Sequence, residues 1–431
     1  MTIDSKTILL WSPVSNHGHL NMYLEIYGSV LTSLGYSVFY YADLEESFAT
    51  RLQIVTPNLK SIESVVAEKI LKRWGLEWTF KVARNVMKQK TIATVDFIRG
   101  LIPQLSSTFR KHKSFVDFGV LTRKLEVLNE IGFKPDLVIC MYLDMTFLGS
   151  KSQRVLRKLS IPWIGLLFHP EELDHSSEFS KNSWFWDKSN RGAIFFSGSS
   201  AVDYNQISRS NQSFVLLPDV TRVPSGEKSS YALDLASHSR GKKIVGLIGA
   251  IDGKKKLVQE FLDLSGDPRL KDYFFVMVGE VYESTIDSLT LKEIRNLTGN
   301  VTEELFVLDR YIESEVDFDS LFSEIDILFA CYKNFDSSAN ILAKSASFKK
   351  PIIVTGGTWI GRLTEQYNLG LTVSDFRIDT LVDAIQKVGA VLDTSPNTFG
   401  FGDYLEIVSI ENLRVNLGQY LTKLWNTETS K

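Results

Sequence analysis

Three lysines, Lys254-Lys255-Lys256, follow a turn bounded by two glycines, Gly249-Ala250-Ile251-Asp252-Gly253, which itself follows the apolar run from Lys243 to Ile248. A cation on such a loop, where a strand gives way to a helix, can neutralise charge that develops on a phosphate group, and the helix start adds unpaired N–H donors and a favourable dipole. Lys255 and Lys256 are therefore candidate phosphate ligands, with Gly249 beside them and Glu280 at the end of the next apolar run. A lysine triplet is also a common solvated charge run, and spacing alone leaves both readings open. A second constellation is Asp336-Ser337-Ser338 with Asn340, lying between the apolar runs Ile325 to Ala330 and Pro351 to Thr355. Short polar side chains before Ile341, Leu342 and Ala346 are expected to cap a helix whose N-terminus faces the carboxyl ends of parallel strands. His169 ends a third apolar run, and His19 sits in Gly18-His19-Leu20-Asn21. An imidazole, which titrates near neutral pH, suits hydrogen bonding to a substrate hydroxyl or proton abstraction from one. His17, Asp43 and Asp144 lie in comparable turns, where a plain surface role is the simpler reading. Asp317-Phe318-Asp319 has the spacing of a metal-binding pair but precedes the helical Leu321-Phe322, so a cap is expected there and no metal site is assigned.

These side chains need a scaffold of alternating strands and helices. In the first half, Thr7 to Trp11 reads as a strand, and Leu20, Leu24, Tyr27, Leu31 and Leu34 recur at helical spacing before Gly35. Val38 to Tyr41, Leu137 to Met141 and Trp163 to Phe168 are further strands, the last two introduced by Pro135 and Pro162. The second half repeats the pattern with strands Lys243 to Ile248, Phe274 to Val278 and Leu305 to Leu308, and with a helix ending at Leu264. Alternation of this kind predicts an α/β protein of two doubly wound, Rossmann-like domains facing a central cleft. The expected division is residues 1–225, 240–400 and a closing helical segment, 401–431, that crosses back to the first domain. The Ser-rich stretch from Pro218 to Arg240 is the expected linker, and Leu405 to Trp425 is expected as one helix.

Composition agrees with a folded protein. The 431 residues are 44% apolar and 23% charged with 11 prolines, enough to build a core and too apolar for long disorder. A net charge of −3 exerts no global pull on nucleic acid. Two cysteines, Cys140 and Cys331, both in apolar runs, point to a reducing, cytoplasmic setting. No apolar stretch reaches the length of a membrane span.

Taken together, the motifs resemble those of GT-B glycosyltransferases, and the second half is most similar to the retaining family 4 group. The resemblance is carried by Gly18-His19-Leu20-Asn21 with Leu34-Gly35-Tyr36-Ser37-Val38, by the segment from Ile161 to His169, and by the region from Ser323 to Gly357. It implies a nucleoside-diphosphate sugar as donor substrate, no cofactor, and transfer of a hexose-type sugar with retention to a glycan or lipid-linked acceptor. It places His169 near the reacting sugar, His19 near the acceptor and Asp336 where family 4 carries a catalytic-site acid. Lys255, Lys256, Gly249, Glu280, Ser337, Ser338 and Asn340 fall in the donor site. Two departures stand out: Lys344 occupies the position of the acid that holds the nucleotide ribose, and Ala250 that of an arginine. A GT-B-shaped scaffold without catalysis, or a sugar-nucleotide epimerase of the same fold, is the alternative these departures keep open.

One segment, about 60–130, lies outside the resemblance. Residues 69–113 carry eleven Lys and Arg against two acids, interleaved with Leu71, Trp74, Trp78, Phe80, Val86 and Ile98. A basic amphipathic stretch with tryptophans suits the inner face of an anionic membrane, and equally a solvated basic helix face. A nucleic-acid acceptor is the least favoured of the three readings.

Overall fold

The computed structural model describes residues 6–13, 20–42, 60–61, 116–130, 132–168, 187–196, 212–221, 226, 228–312, 314–338 and 340–429. They separate into two compact units. The first holds those within Met1–Leu167, Ser176–Ile194 and Arg209–Ser213, and the second those within Phe168–His175, Phe195–Ser208 and Phe214–Lys431. The basic stretch 69–113, His19 and His169 lie outside the described residues.

The first sheet is built from β1 (Thr7–Trp11), β2 (Ser37–Tyr41), β3 (Lys60–Ser61), β4 (Leu137–Cys140), β5 (Trp163–Leu167), β6 (Asn190–Phe195) and β7 (Ser213–Leu216). Its order is β3-β2-β1-β4-β5-β6-β7, and the registers among β1 to β5 are parallel. Every side chain of β4 and β5 is buried, as a strand covered on both faces requires. The helix Leu20–Ser33 follows β1 and packs on β2, and Gly35, at φ +88°, turns the chain into that strand.

In the second unit the sheet comprises β8 (Lys243–Ile248), β9 (Tyr273–Gly279), β10 (Leu305–Asp309), β11 (Ile327–Ala330), β12 (Ile352–Thr355) and β13 (Gly370–Val373). All five pairings are parallel, in the order β10-β9-β8-β11-β12-β13. Counted within the unit this is 3-2-1-4-5-6, the Rossmann order, whose direction reverses between β8 and β11. Alternate residues of β9 feed opposite layers. Phe275 and Met277 join Phe261, Phe329 and Ile385 on one face, while Phe274, Val276 and Val278 join Phe322, Leu342 and Tyr404 on the other. Both layers are buried and aromatic-rich, so the sheet is a well-packed base for the loops at its edge.

Several local expectations need correction. The helix Ile341–Phe348 is not capped as expected: its N-cap residue Asn340 makes no side-chain capping bond, Asp336 is taken by Trp359 and Arg362, and Ser338 by Asp219. The cap of the helix Glu315–Glu324 is Ser314, whose hydroxyl accepts from Asp317 N at 3.2 Å, rather than Asp317 or Asp319. Within the stretch expected as linker, Ser230–Ser239 forms a helix capped by Ser229. The closing segment is two helices, Phe401–Ile407 and Ile410–Thr429, because the Ser409 hydroxyl accepts from Asn412 N at 3.0 Å and starts a new one. Cys140 and Cys331 are buried and unpaired.

Candidate functional site

Where strand order reverses, the loops leaving β8 and β11 stand side by side at the carboxyl edge of the sheet, the edge at which open α/β sheets bind ligands, and Lys333 N donates to Lys255 O between them. The loop after β8 carries Gly249, Lys255 and Lys256; the segment after β11 carries Asp336, Ser337, Ser338 and Asn340; Glu280 follows β9. All the donor-site residues read from the sequence therefore stand on one edge of one sheet.

The first loop is stitched to its neighbours by backbone. Gly249 N donates to Val278 O at 2.9 Å, Ile251 N to Glu280 O at 2.9 Å, and Tyr282 N to Ile251 O at 3.0 Å. Gly253 N donates to the Thr285 hydroxyl at 3.0 Å. Arg310 N, after β10, reaches Gly279 O at 3.2 Å, and Val281 N donates to Asp309 Oδ1 at 2.9 Å. Gly279 has φ +152°, and a Cβ there would overlap the Gly249 carbonyl, so the sheet edge needs glycine at this point. On the other side Lys333 N donates to Lys255 O at 2.6 Å, and Tyr332 exchanges hydrogen bonds with the Thr355 hydroxyl. Five successive strand ends, β10-β9-β8-β11-β12, thus share one hydrogen-bonded rim.

Adjacent lysines do different work on this rim. Lys255 is exposed, its ammonium 5.4 Å from the centroid of the Phe335 ring, and no carboxylate pairs with it among the described residues. Lys256 is 8% exposed and turns inward, where its Nζ donates to Ile248 O at 2.7 Å and Gly249 O at 3.2 Å. Burial pulls the Lys256 pKa down to about 7, against a smaller upward pull from Asp252. Lys255 therefore presents its charge at the surface, and Lys256 holds the loop that carries it. Glu280 is exposed beside them.

On the segment after β11, Asp336 Oδ1 accepts a short hydrogen bond from Trp359 N, at the start of the helix Trp359–Gln366, and lies 3.4 Å from Arg362 Nη2. Ser337 is fully buried. Ser338 and Asn340 are bound to Asp219. Lys344, at the position where the resemblance expects a ribose-binding acid, is buried against the helix Glu315–Glu324. Its Nζ is 2.5 Å from Asp319 Oδ1 and lies over the Phe318 and Phe322 rings. Ala250 is exposed. Asp144 lies in the short turn Leu143–Met145 after β4, in the first unit. Among the described residues no cluster of three metal-ligating side chains occurs.

Sequence reasoning missed Asp219, Arg362 and Thr355, and the pairing of Asp319 with Lys344; these partners lie 23 to 121 positions apart in the chain. No local spacing connects such partners, so no signal in the sequence could have found them.

No protein-family model matches the chain, and no curated protein sequence matches it. Solved structures do match in fold. A sucrose-phosphate synthase from Thermosynechococcus elongatus is 13% identical with a TM-score of 0.59, covering 98% of this chain and 99% of its own. A UDP-forming trehalose-phosphate synthase from Burkholderia xenovorans is 12% identical at 0.60, over 98% and 99%. Anabaena Alr3699/HepE, in complex with UDP and glucose, is 12% identical at 0.59, over 97% and 100%. The chain thus has the GT-B fold across its length. These neighbours do not support the narrower likeness to family 4.

Proposed function

We propose that the protein is a GT-B glycosyltransferase that moves a hexose-type sugar from a nucleoside-diphosphate donor to an acceptor hydroxyl of a glycan or glycolipid, with no metal in the reaction. The observation that carries this reading is the carboxyl edge of the second sheet. There an unpaired, exposed Lys255 and the uncapped start of the helix Ile341–Phe348 stand on opposite sides of the switch point. A departing diphosphate needs charge and N–H donors where its negative charge grows, and both are already in place before ligand arrives. Support comes from the fold, shared end to end with a protein solved with UDP and glucose. Glu280, exposed beside the Gly249 loop, is the proposed ribose contact in place of the acid that Lys344 replaces. His169 as a contact to the donor sugar, His19 as a contact to the acceptor, retention of configuration and a cytoplasmic setting belong to the same proposal, as does acceptor capture at a membrane surface by residues 69–113. No helix among the described residues is long and apolar enough to cross a membrane.

A second reading, a scaffold that binds without catalysis, is favoured by Ala250 in place of the arginine. Lys344 gives it no help, because its charge is spent on Asp319.

The test is a thermal-shift series with UDP, GDP, ADP, CMP and their common sugars, since a ligand that binds only the folded state raises its midpoint. One nucleotide stabilising the wild type, with the shift lost in Lys255→Ala, is the expected result. No shift with any of them would sink the donor proposal.

A further inference from the structure

Asp219 belongs to none of the motifs above. It is 8% exposed, in the irregular stretch between β7 and the helix Ser230–Ser239, and its carboxylate grips the loop that precedes the helix Ile341–Phe348. Ser338 Oγ donates to Asp219 Oδ2 at 2.6 Å and Asn340 Nδ2 to Oδ1 at 3.1 Å. The same Asn340 amide also donates to Val220 O at 3.0 Å, the carbonyl of the Val220–Thr221 peptide.

This grip decides how the helix begins. Asparagine is a favoured N-cap residue, and caps from an extended backbone by accepting from the N–H groups one turn in. Asn340 instead has φ −56° and ψ −16° and makes no capping hydrogen bond. Its Nδ2 is bound to Asp219 and Val220, and its Oδ1 is buried without a partner. The Thr221 hydroxyl, in a side chain 7% exposed, is a second buried oxygen without a partner. The helical ladder starts with Lys344 N donating to Asn340 O at 3.0 Å, so the N–H groups of Ile341, Leu342 and Ala343 precede it. Leu342 and Ala343 are each 1% exposed. Buried N–H groups at a helix start that lack a cap take an outside acceptor, and an anion is the best one.

We infer that Asp219 is a positioning residue of the donor site: it holds the Asn340 side chain off the helix start and so keeps the first-turn N–H groups open to the donor's diphosphate. The inference rests on the donor reading above. It makes a prediction of unusual sign, because the harm done by losing Asp219 passes through Asn340. In Asp219→Ala, Asn340 relaxes to an extended backbone and caps the helix itself, and affinity for the stabilising nucleotide falls about tenfold. Measured against Asn340→Ala rather than wild type, Asp219→Ala costs little further affinity, so the two substitutions are strongly non-additive.

The experiment reads two quantities on the four proteins. One is nucleotide affinity by calorimetry; the other, in the absence of ligand, is hydrogen exchange of the Leu342 and Ala343 amides. Exchange should slow in Asp219→Ala and return to the wild-type rate in the double variant. Losses of affinity that add, with exchange unchanged or faster in Asp219→Ala, would make Asp219 an ordinary packing residue and overturn the inference. If the wild type binds none of the nucleotides, the donor proposal fails by itself, while the exchange rates still report whether Asp219 controls the cap. Asp219→Asn, which keeps the volume and one acceptor, replaces Asp219→Ala if the latter does not fold, with a smaller change of the same sign.

Discussion

At the scale of single residues, neighbours in sequence are assigned opposite roles by where their side chains end. Lys255 stays at the surface, whereas Lys256 is drawn under the loop and satisfied by the carbonyls of Ile248 and Gly249. An ammonium held by neutral oxygens in a buried place releases its proton early, which is why its pKa drops from 10.5 to about 7. Between those two values the unfolded chain holds a proton that the folded chain has released, so stability rises with pH across that window. Below pH 7 both states hold it and the handicap is constant. Wild type should therefore gain on Lys256→Met between pH 7 and 9, by up to about 1.4 kcal/mol per pH unit, in urea unfolding at each pH. A difference that stays flat with pH would mean that the buried amine keeps its proton throughout, as the unfolded chain does. The lysine triplet was legible as a chemical candidate; which lysine faces the ligand was not, since both readings have the same sequence.

Among elements, the rim of the second sheet works because backbones approach closely at a few positions. Gly279 is the tightest of them, and Gly279→Ala should cost about 2 kcal/mol or more, combining a strained φ with an overlap against Gly249 O. Thermal unfolding of that variant checks it, and an unchanged midpoint would show that the rim yields. The helices Glu315–Glu324 and Ile341–Phe348 are joined by the Asp319–Lys344 pair, whose side chains are only 12% and 9% exposed. Removing one partner strands a buried charge, so Lys344→Met should lose about 3 kcal/mol, and Lys344→Met with Asp319→Leu should recover most of it. Denaturant midpoints of the two variants decide the matter; equal losses would mean the charges are less buried than the structure places them. Strand and helix existence was readable here from apolar runs and glycine stops. Capping was not, because Asp336, Ser338 and Asn340 have the chemistry of caps but are claimed by Trp359, Arg362 and Asp219 from elsewhere in the chain.

For the molecule as a whole, two compact units with separate cores need not unfold in one step. Calorimetry should resolve two transitions, and the stabilising nucleotide should raise only the one that belongs to the second unit, since both sides of the proposed donor crevice lie there. A single transition that moves as one would show the units to be thermodynamically coupled. The sequence by itself determined the α/β class, the repeated Rossmann pattern and the strand ends on which Gly249, Glu280 and Asp336 stand, because burial on both faces of a parallel strand leaves a local apolar signature that short-range periodicity preserves. Only the tertiary structure decided that Lys256 props the loop, that Lys344 is neutralised by Asp319 and that Asp219 governs the start of the helix Ile341–Phe348. Those are pairings between residues far apart in the chain, set by where the folded backbone brings polar atoms together, and no local pattern encodes them.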